Sequence, residues 1–111
     1  MKALALSLLS LTTLACAQTT LYVSTEGRPD WSGRIAAPNT QRTDGPLPSL
    51  AAARDTIRSL RSMGVREAVT VLVRGGAYFL SEPFVLTPQD SGTPEQPVVY
   101  AAYPGEHPII S

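Results

Sequence analysis

The stretch AVTVLVRGGAYFL, residues 68–80, decides the fold predicted for this chain. Its first six residues, Ala68 to Val73, form an almost continuous apolar and β-branched run, which is typical of a strand buried on both faces. Gly75 and Gly76 then permit the positive φ angles of a turn. Ala77 to Leu80 form a second apolar run. The pattern predicts two short strands joined by a turn.

The residues that follow continue this pattern. Phe84 to Leu86 (FVL) and Val98 to Ala102 (VVYAA) are two further runs of strand-forming residues. Between them, Thr87 to Pro97 are rich in Pro, Gly, Ser and Asp, which predicts a long turn. Another apolar run begins at Ile109. The sequence after residue 68 therefore predicts short strands separated by turns.

The residues before this stretch predict a single helix from Leu50 to Met63. Ser49 is a good N-cap, because its hydroxyl can accept a hydrogen bond from an unpaired amide of the first turn. Gly64 suits the left-handed residue that commonly ends a helix. The apolar residues recur at helical spacing and form one face: Leu50, Ala53, Ile57 and Leu60, widened by Ala52 and Met63.

The order of the elements limits the architectures that the chain can adopt. Thr20 to Ser24 (TLYVS) predict an initial strand, and a polar loop at residues 31–46 separates it from the helix. A single helix does not favour the alternating strands and helices of a doubly wound sheet. Two architectures remain: a small α+β domain, and the first coil of a solenoid whose N-terminal end a helix covers. Solenoids need such a cap because an open end exposes the core and the strand edges.

The first 17 residues have the organisation of a signal peptide. Lys2 supplies the positive n-region, an apolar run extends from Ala3 to Ala15, and Ala15-Cys16-Ala17 fits a small-residue cleavage site. The apolar run is shorter than the about twenty residues that span a bilayer. We therefore predict a signal peptide at 1–17, one unit at 18–111, and a secreted or periplasmic protein. The alternative is a lipoprotein anchored through Cys16, although the usual Leu three positions upstream is missing.

The composition excludes several functional classes. The 111 residues carry nine basic and nine acidic side chains, so the formal net charge is zero. We therefore predict neither a nucleic-acid surface nor a polybasic membrane surface. The only cysteine lies in the predicted signal peptide, which leaves the rest of the chain without a disulfide, a thiolate ligand or a thiolate nucleophile.

Aromatic and basic residues could in principle form a polysaccharide-binding surface. Trp31 with Arg34 could form a platform for an acidic sugar, but we favour a structural anchor for the polar loop. The arginines of the helix lie on one flank of its apolar face, and they are Arg54, Arg58 and Arg61. They could bind an acidic polymer, but we favour a solvated edge whose aliphatic stems cover apolar surface.

The remaining candidates for chemistry also have structural interpretations. His107, the only histidine, has no clustered partner in the sequence, so it is a poor base or metal ligand. Asp90 and Glu95 lie in a turn where side-chain capping is favoured over calcium binding, and Asp44 is expected to accept from backbone amides in its own turn. No pair of carboxylates has the spacing that glycoside hydrolysis requires. We therefore assign no catalytic, cofactor-binding or metal-binding residue to this chain.

Four segments, taken in order, resemble the N-terminal region of secreted bacterial right-handed parallel β-helix proteins of the pectin-lyase-like superfamily. They are YVSTEG (22–27), WSGRIAAPNTQRTDGPLPSLAAARDTIR (31–58), VTVLVRGGAYFLSEPFVLTPQDSGT (69–93) and PVVYAAYPGEHPIIS (97–111). One departure is Leu47-Pro48-Ser49, where an aromatic residue followed by Ala and Thr is commoner. Another is the chain end, because members of the superfamily continue for several hundred residues.

The resemblance implies a fold and a class of function. The fold it implies is mainly β with one capping helix, in which residues 18–111 are the N-terminal cap and first coil of a β-helix. The full-length protein would be a glycoside hydrolase or polysaccharide lyase that binds polysaccharide along its later coils, where acidic residues or calcium act. The present residues would be structural, with no cofactor of their own. The alternative is a non-catalytic surface β-helix such as an adhesin.

Overall fold

The computed structural model describes residues 18–80 and 83–111, so the predicted signal peptide lies outside the described residues. These residues contain one α-helix and five β-strands. In chain order the elements are β1 (Gln18–Val23), α1 (Leu50–Ser62), β2 (Ala68–Val73), β3 (Gly76–Tyr78), β4 (Val98–Ala102) and β5 (Pro108–Ile110), with a 3-10 turn at Pro88–Asp90. No helix among the described residues is long and apolar enough to cross a membrane.

The strands form two parallel sheets. The larger sheet has the order β1-β2-β4, and the smaller sheet pairs β3 with β5. Strands β4 and β5 thus follow β2 and β3 in the chain and lie beside them in the same order. Val69 of β2 pairs with Val98 of β4, and Gly76 of β3 pairs with Pro108 of β5. Parallel neighbours require a long connection, and α1 provides part of the connection between β1 and β2.

Alternation along the strands builds the core. In β1 and β2 every second side chain is fully buried, and the residues between them are exposed or half-buried. The expectation that β2 is buried on both faces was therefore too strong, because only one of its faces enters the core. The buried apolar cluster draws on both sheets, on α1 and on the loop before it: Leu21, Val23, Leu47, Leu50, Ala53, Ile57, Val69, Val71, Val73 and Tyr78.

Both ends of α1 are capped as the sequence predicts. Ser49 lies in extended backbone, and its hydroxyl accepts a hydrogen bond of 3.0 Å from the Ala52 amide. At the other end Gly64 adopts a φ of 89°, its amide donates to the Arg61 carbonyl, and the Val65 amide donates to the Leu60 carbonyl. This pair of bonds is the Schellman arrangement, which satisfies carbonyls that the helix leaves unpaired.

The buried face of α1 is narrower than predicted. Leu50, Ala53 and Ile57 are buried, whereas Leu60 is only half-buried. Met63, which we expected to widen this face, is 70% exposed. It occupies the C-cap position, where the helix ends.

Most of the predicted strands are confirmed, and one is wrong. Ala68–Val73 and Val98–Ala102 have the predicted bounds, and the first, third and last strands differ by a few residues from the predicted runs. Phe84 to Leu86 form no strand, because this segment packs through its side chains without a neighbouring strand. The Phe84 ring lies 5.9 Å from the Tyr100 ring in an edge-on arrangement. The Val85 carbonyl accepts from Arg54.

The described residues are thus a small α+β domain with one helix and parallel strands in two sheets. This is compatible with the α+β alternative predicted from the order of the elements.

The packing of α1 predicts how substitutions on it behave. We expect Ile57→Asp to lower the free energy of unfolding by at least about 3 kcal/mol, because it replaces a buried side chain with an unpaired charge. Leu60→Asp should lower the free energy of unfolding by less, since Leu60 is only half-buried.

Urea unfolding followed by circular dichroism measures these changes. Ser59→Asp is the matched control, because Ser59 is an exposed neighbour on the same helix, and we expect it to change the unfolding free energy by no more than about 0.5 kcal/mol. Equal effects at Ile57 and Ser59 would show that α1 packs through a different face.

Candidate functional site

The free side of β1 is covered by the loop that leads to α1. The Tyr22 amide donates to the Gly33 carbonyl at 2.7 Å, the Leu47 amide donates to the Tyr22 carbonyl at 2.8 Å, and the Ser24 amide donates to the Leu47 carbonyl at 2.9 Å. Val23 and Leu47 form a parallel bridge. We call this covered side of β1, with the loop at residues 25–47, the closed end.

Trp31 holds the loop of the closed end in place. The side chain is only 5% exposed, and its ring packs so closely on Gly45 that a Cβ there would lie 2.5 Å from it. The guanidiniums of Arg28 and Arg42 also lie over the ring, at 5.4 and 5.7 Å from its centroid. Because the ring is buried, it offers no platform to a sugar, and the predicted role as a structural anchor fits the geometry. Arg34, the other half of the platform considered, is exposed.

Asp44 stabilises the same loop as predicted. Its carboxylate accepts from the Ser32 amide at 2.8 Å and from the Ser32 hydroxyl at 3.0 Å. These hydrogen bonds, the one from the amide first, hold the pKa of Asp44 below its ordinary value. The polar loop is therefore an ordered cover, built from side-chain and backbone hydrogen bonds.

The opposite side of the larger sheet has no cover among the described residues. Side chains that point into the core form columns across the three strands, and burial falls along each column from β1 to β4. The columns are Thr19–Val69–Val98, Leu21–Val71–Tyr100 and Val23–Val73–Ala102. The members on β1 and β2 are buried, those at 98 and 100 are half-buried, and Ala102 is exposed. We call this side, formed by β4 and β5, the open end.

Backbone groups also face outward at the open end. The Val69 amide donates to the Pro97 carbonyl, and the Tyr103 amide donates to the Val73 carbonyl. Because successive residues of a parallel strand direct their groups to opposite sides, the N–H and C=O groups of Val98, Tyr100 and Ala102 point away from β2. This row of groups is a ready template for another parallel strand.

Apolar side chains accompany the outward backbone groups. Ile109 is 61% exposed and Ile110 is 44% exposed. Since Ile110 pairs with the buried Tyr78, it continues an inward-facing position of the smaller sheet. A concavity of about 200 Å³ opens between the two sheets, and its lining is mainly apolar: Leu50, Val73, Tyr100, Ala101, Ala102, Pro108 and Ile110. The open end therefore exposes an unfinished core.

An ion pair anchors the long turn between β3 and β4. Arg58 on α1 donates from Nε and Nη2 to both oxygens of Asp90, at 2.7 and 2.6 Å, and the Thr87 amide also donates to this carboxylate. The Arg58 guanidinium, followed by the Thr87 amide, holds the pKa of Asp90 far below its ordinary value. This agrees with the predicted capping role of Asp90. It corrects the solvated-edge interpretation of Arg58, which is bound to the turn.

The neighbouring helix arginines also bind backbone or aromatic groups. Arg54 donates to the Val85 carbonyl at 3.0 Å and lies 5.6 Å from the centroid of the Phe84 ring. Arg61 donates to the Val65 carbonyl at 3.1 Å. Two of the three helix arginines therefore hold the segment that follows β3 against α1.

A second ion pair ties the two ends of the domain together. Arg74, directly after β2, donates to both carboxylate oxygens of Glu106 at 2.8 Å and to the Ala36 carbonyl of the closed-end loop at 2.7 Å. Its guanidinium lies 4.3 Å from the centroid of the Tyr103 ring. The bond from Arg74, followed by one from the Gly75 amide, lowers the pKa of Glu106 from 4.5 to about 2.

The other residues considered from the sequence are not brought together. His107 and Glu95 are exposed. No group of three or more His, Cys, Asp or Glu side chains that could hold a metal ion occurs within residues 18–80 and 83–111. The carboxylates of Asp90 and Glu106 are each paired with an arginine. They therefore serve packing rather than acid–base chemistry.

Sequence reasoning missed both ion pairs. Each pair joins residues 32 positions apart, which is close to the spacing between paired residues of β3 and β5. A search for Arg and Asp or Glu at this spacing could have found them. The open end, by contrast, is what the solenoid interpretation predicts, since a first coil that is capped on one side exposes its strand edges on the other.

One solved structure gives a comparison over most of this chain. A structure described as "Glycoside hydrolase" matches it with a TM-score of 0.69 and 28% sequence identity, over 84% of this chain and 15% of that chain. The present chain thus spans about 15% of the length of the structure it resembles. No family model matches the chain, and the search of curated proteins found no match.

The Arg74–Glu106 pair predicts an acid-sensitive contribution to stability. The folded state lowers the pKa of Glu106, so the contribution is complete above pH 4.5 and is lost as the pH falls toward 2. We expect Glu106→Gln to lower the melting temperature at pH 7, and we expect the difference from the wild type to shrink between pH 4.5 and 2.

Thermal unfolding at a series of pH values tests this. Glu95→Gln removes one negative charge from an exposed position, and this control should leave the profile unchanged. A Glu106→Gln difference that stayed constant down to pH 2 would contradict the assigned ion pair.

Proposed function

We propose that residues 18–111 form the N-terminal cap and first coil of a right-handed parallel β-helix in a carbohydrate-active protein. The observation that carries this proposal is the contrast between the two ends. The loop at residues 25–47 covers one end, and the other end presents outward backbone groups and an unfinished apolar core. Such a cap is what a solenoid requires at its terminus, and the open end is what its next coil requires.

The strand order supports a coil. Strands β4 and β5 repeat the order of β2 and β3 about thirty residues later, each beside its counterpart and parallel to it. Solenoid repeats commonly have 20–45 residues, so this spacing falls within their range. The closed end is the atypical terminal unit, since β1 is separated from β2 by the long loop and α1.

The match to a glycoside hydrolase supports the carbohydrate-active part of the proposal. It also favours an enzyme over the adhesin-like alternative, and hydrolysis over elimination. Inverting and retaining hydrolases use two carboxyl groups, about 6.5–9.5 Å or 5–5.5 Å apart, on either side of the glycosidic bond. Asp90 and Glu106 are held by arginines, so we assign the catalytic carboxylates to coils beyond these residues.

The proposed role of this chain is therefore structural. It would close the end of the β-helix and offer β4 and β5 as the edge on which later coils build. The polysaccharide substrate, and any calcium ion, would bind those later coils. We assign no cofactor to the present residues.

The proposal includes export of the protein from the cytoplasm. The signal-peptide pattern of residues 1–17 supports a secreted or periplasmic protein, with anchoring through Cys16 as the alternative. A polysaccharide substrate outside the cytoplasm would agree with this route.

The open end makes a direct prediction about association. We expect residues 18–111, produced alone, to self-associate because apolar strand edges pair with other chains. Ile110→Lys should shift the chain toward monomer, since it adds a charge to the open end at a side chain that is 44% exposed. Appending several further coils should give a stable monomer.

Sedimentation velocity distinguishes these species. Ile35→Lys is the matched control, because Ile35 is 37% exposed and lies in the closed-end loop. It should leave association unchanged. A wild-type chain that is a monodisperse monomer with one sharp unfolding transition would identify a self-contained α+β domain and overturn the proposal.

A further inference from the structure

A second concavity, distinct from the open end, lies between the C-terminal end of α1 and the turn before β4. Its volume is about 390 Å³, and Arg61 and Arg66 both line it. The turn contributes polar side chains, namely Gln89, Thr93 and Gln96. The lining residues include two guanidiniums and no carboxylate. The concavity is therefore positively charged.

Arg61 has an incomplete set of hydrogen bonds. Its Nη1 donates to the Val65 carbonyl at 3.1 Å. Its Nη2 is buried and has no hydrogen-bond partner among the described residues. A buried donor on a charged group is costly to leave without an acceptor. Arg61 therefore has unused capacity to bind an anion.

Arg66 adds a second positive charge, and no described carboxylate forms an ion pair with it. Its side chain is exposed. The adjacent Glu67 accepts a hydrogen bond of 2.5 Å from the Thr19 hydroxyl. Asp90, in the turn, is bound by Arg58 on both oxygens. Glu67 and Asp90 thus have other partners, and the exposed Glu95, next to Gln96, is not among the residues that line the concavity.

We propose that this concavity binds an oxyanion carried by a saccharide, either the carboxylate of a uronic acid or a sulfate ester. The proposal rests on the proposed function for its choice of a saccharide. Arginine suits both groups because its planar array of donors matches two oxygens at once. Arg66 meets the ligand directly, and Arg61 completes the site once its guanidinium turns toward the concavity. The amide side chains of Gln89 and Gln96 are available to sugar hydroxyls.

Saturation-transfer NMR on residues 18–111 tests the site. This method works with monomers and with larger assemblies, so its outcome does not depend on the open end. The probes are a linear uronic-acid tetrasaccharide, the same tetrasaccharide with its carboxyl groups reduced to alcohols, and a sulfated neutral tetrasaccharide, each of which carries carbon-bound protons that the method observes. We expect at least one of the two acidic saccharides to bind, and the reduced one not to bind. Binding of one acidic saccharide but not the other identifies the group that is recognised.

Two variants locate the binding. Arg66→Gln should weaken binding of the acidic saccharide about tenfold, because it removes a charged hydrogen-bond donor. It should not affect folding, because Arg66 is exposed. Arg61→Gln should weaken it by a similar factor. Arg34→Gln is the matched control, since it removes the same charge from an exposed position in the closed-end loop, and it should leave binding unchanged.

Several results would overturn the proposal. They are equal binding of the acidic and reduced saccharides, an equal loss in Arg34→Gln and Arg66→Gln, and no binding of either acidic saccharide. None of these affects the sedimentation result at the open end, so a failure here is distinguishable from a failure of the proposed cap.

Discussion

A strand in a parallel sheet carries hydrogen-bonding groups on both sides, and the structure depends on where those groups find partners. On one side of β1, Tyr22 is paired with Gly33 and Leu47 of the long loop. On the far side of β4, the groups of Val98 and Tyr100 face outward. Buried backbone groups must be paired, so the loop is a substitute for a strand at the closed end. Its length follows from that role, because it must cross the end of the sheet before α1 begins.

Packing and charge hold this arrangement together at long range. The buried face of α1 joins the strands in one apolar core, while two bidentate arginine–carboxylate pairs hold the turns against it. Arg74 has the widest reach, since it contacts both the closed-end loop at Ala36 and the turn after β4 at Glu106. Both carboxylates are therefore committed to structure. Such structural roles fit a cap, which orders the first strands so that further strands can pair with them.

The sequence predicted the features that local physics determines. The bounds of β2 and the caps of α1 follow from periodicity, from the Ser49 hydroxyl and from the freedom of Gly64, and all of these act within a few residues. Phe84 to Leu86 were wrongly predicted as a strand, because an apolar run becomes a strand only when a distant segment pairs with it. The ion pairs escaped prediction for the same reason, since each joins residues 32 positions apart.

Site-resolved amide hydrogen exchange tests most directly whether the far side of β4 awaits another strand. In the chain of 111 residues kept monomeric by Ile110→Lys, the amides of Val99 and Ala101, which face β2, should exchange slowly, and those of Tyr100 and Ala102 should exchange fast. In a chain extended by further coils all four should be slow, while Tyr22 at the closed end should be slow in both. Slow exchange of Tyr100 and Ala102 in a monomeric short chain would contradict an open end, as would fast exchange of these amides in the extended chain.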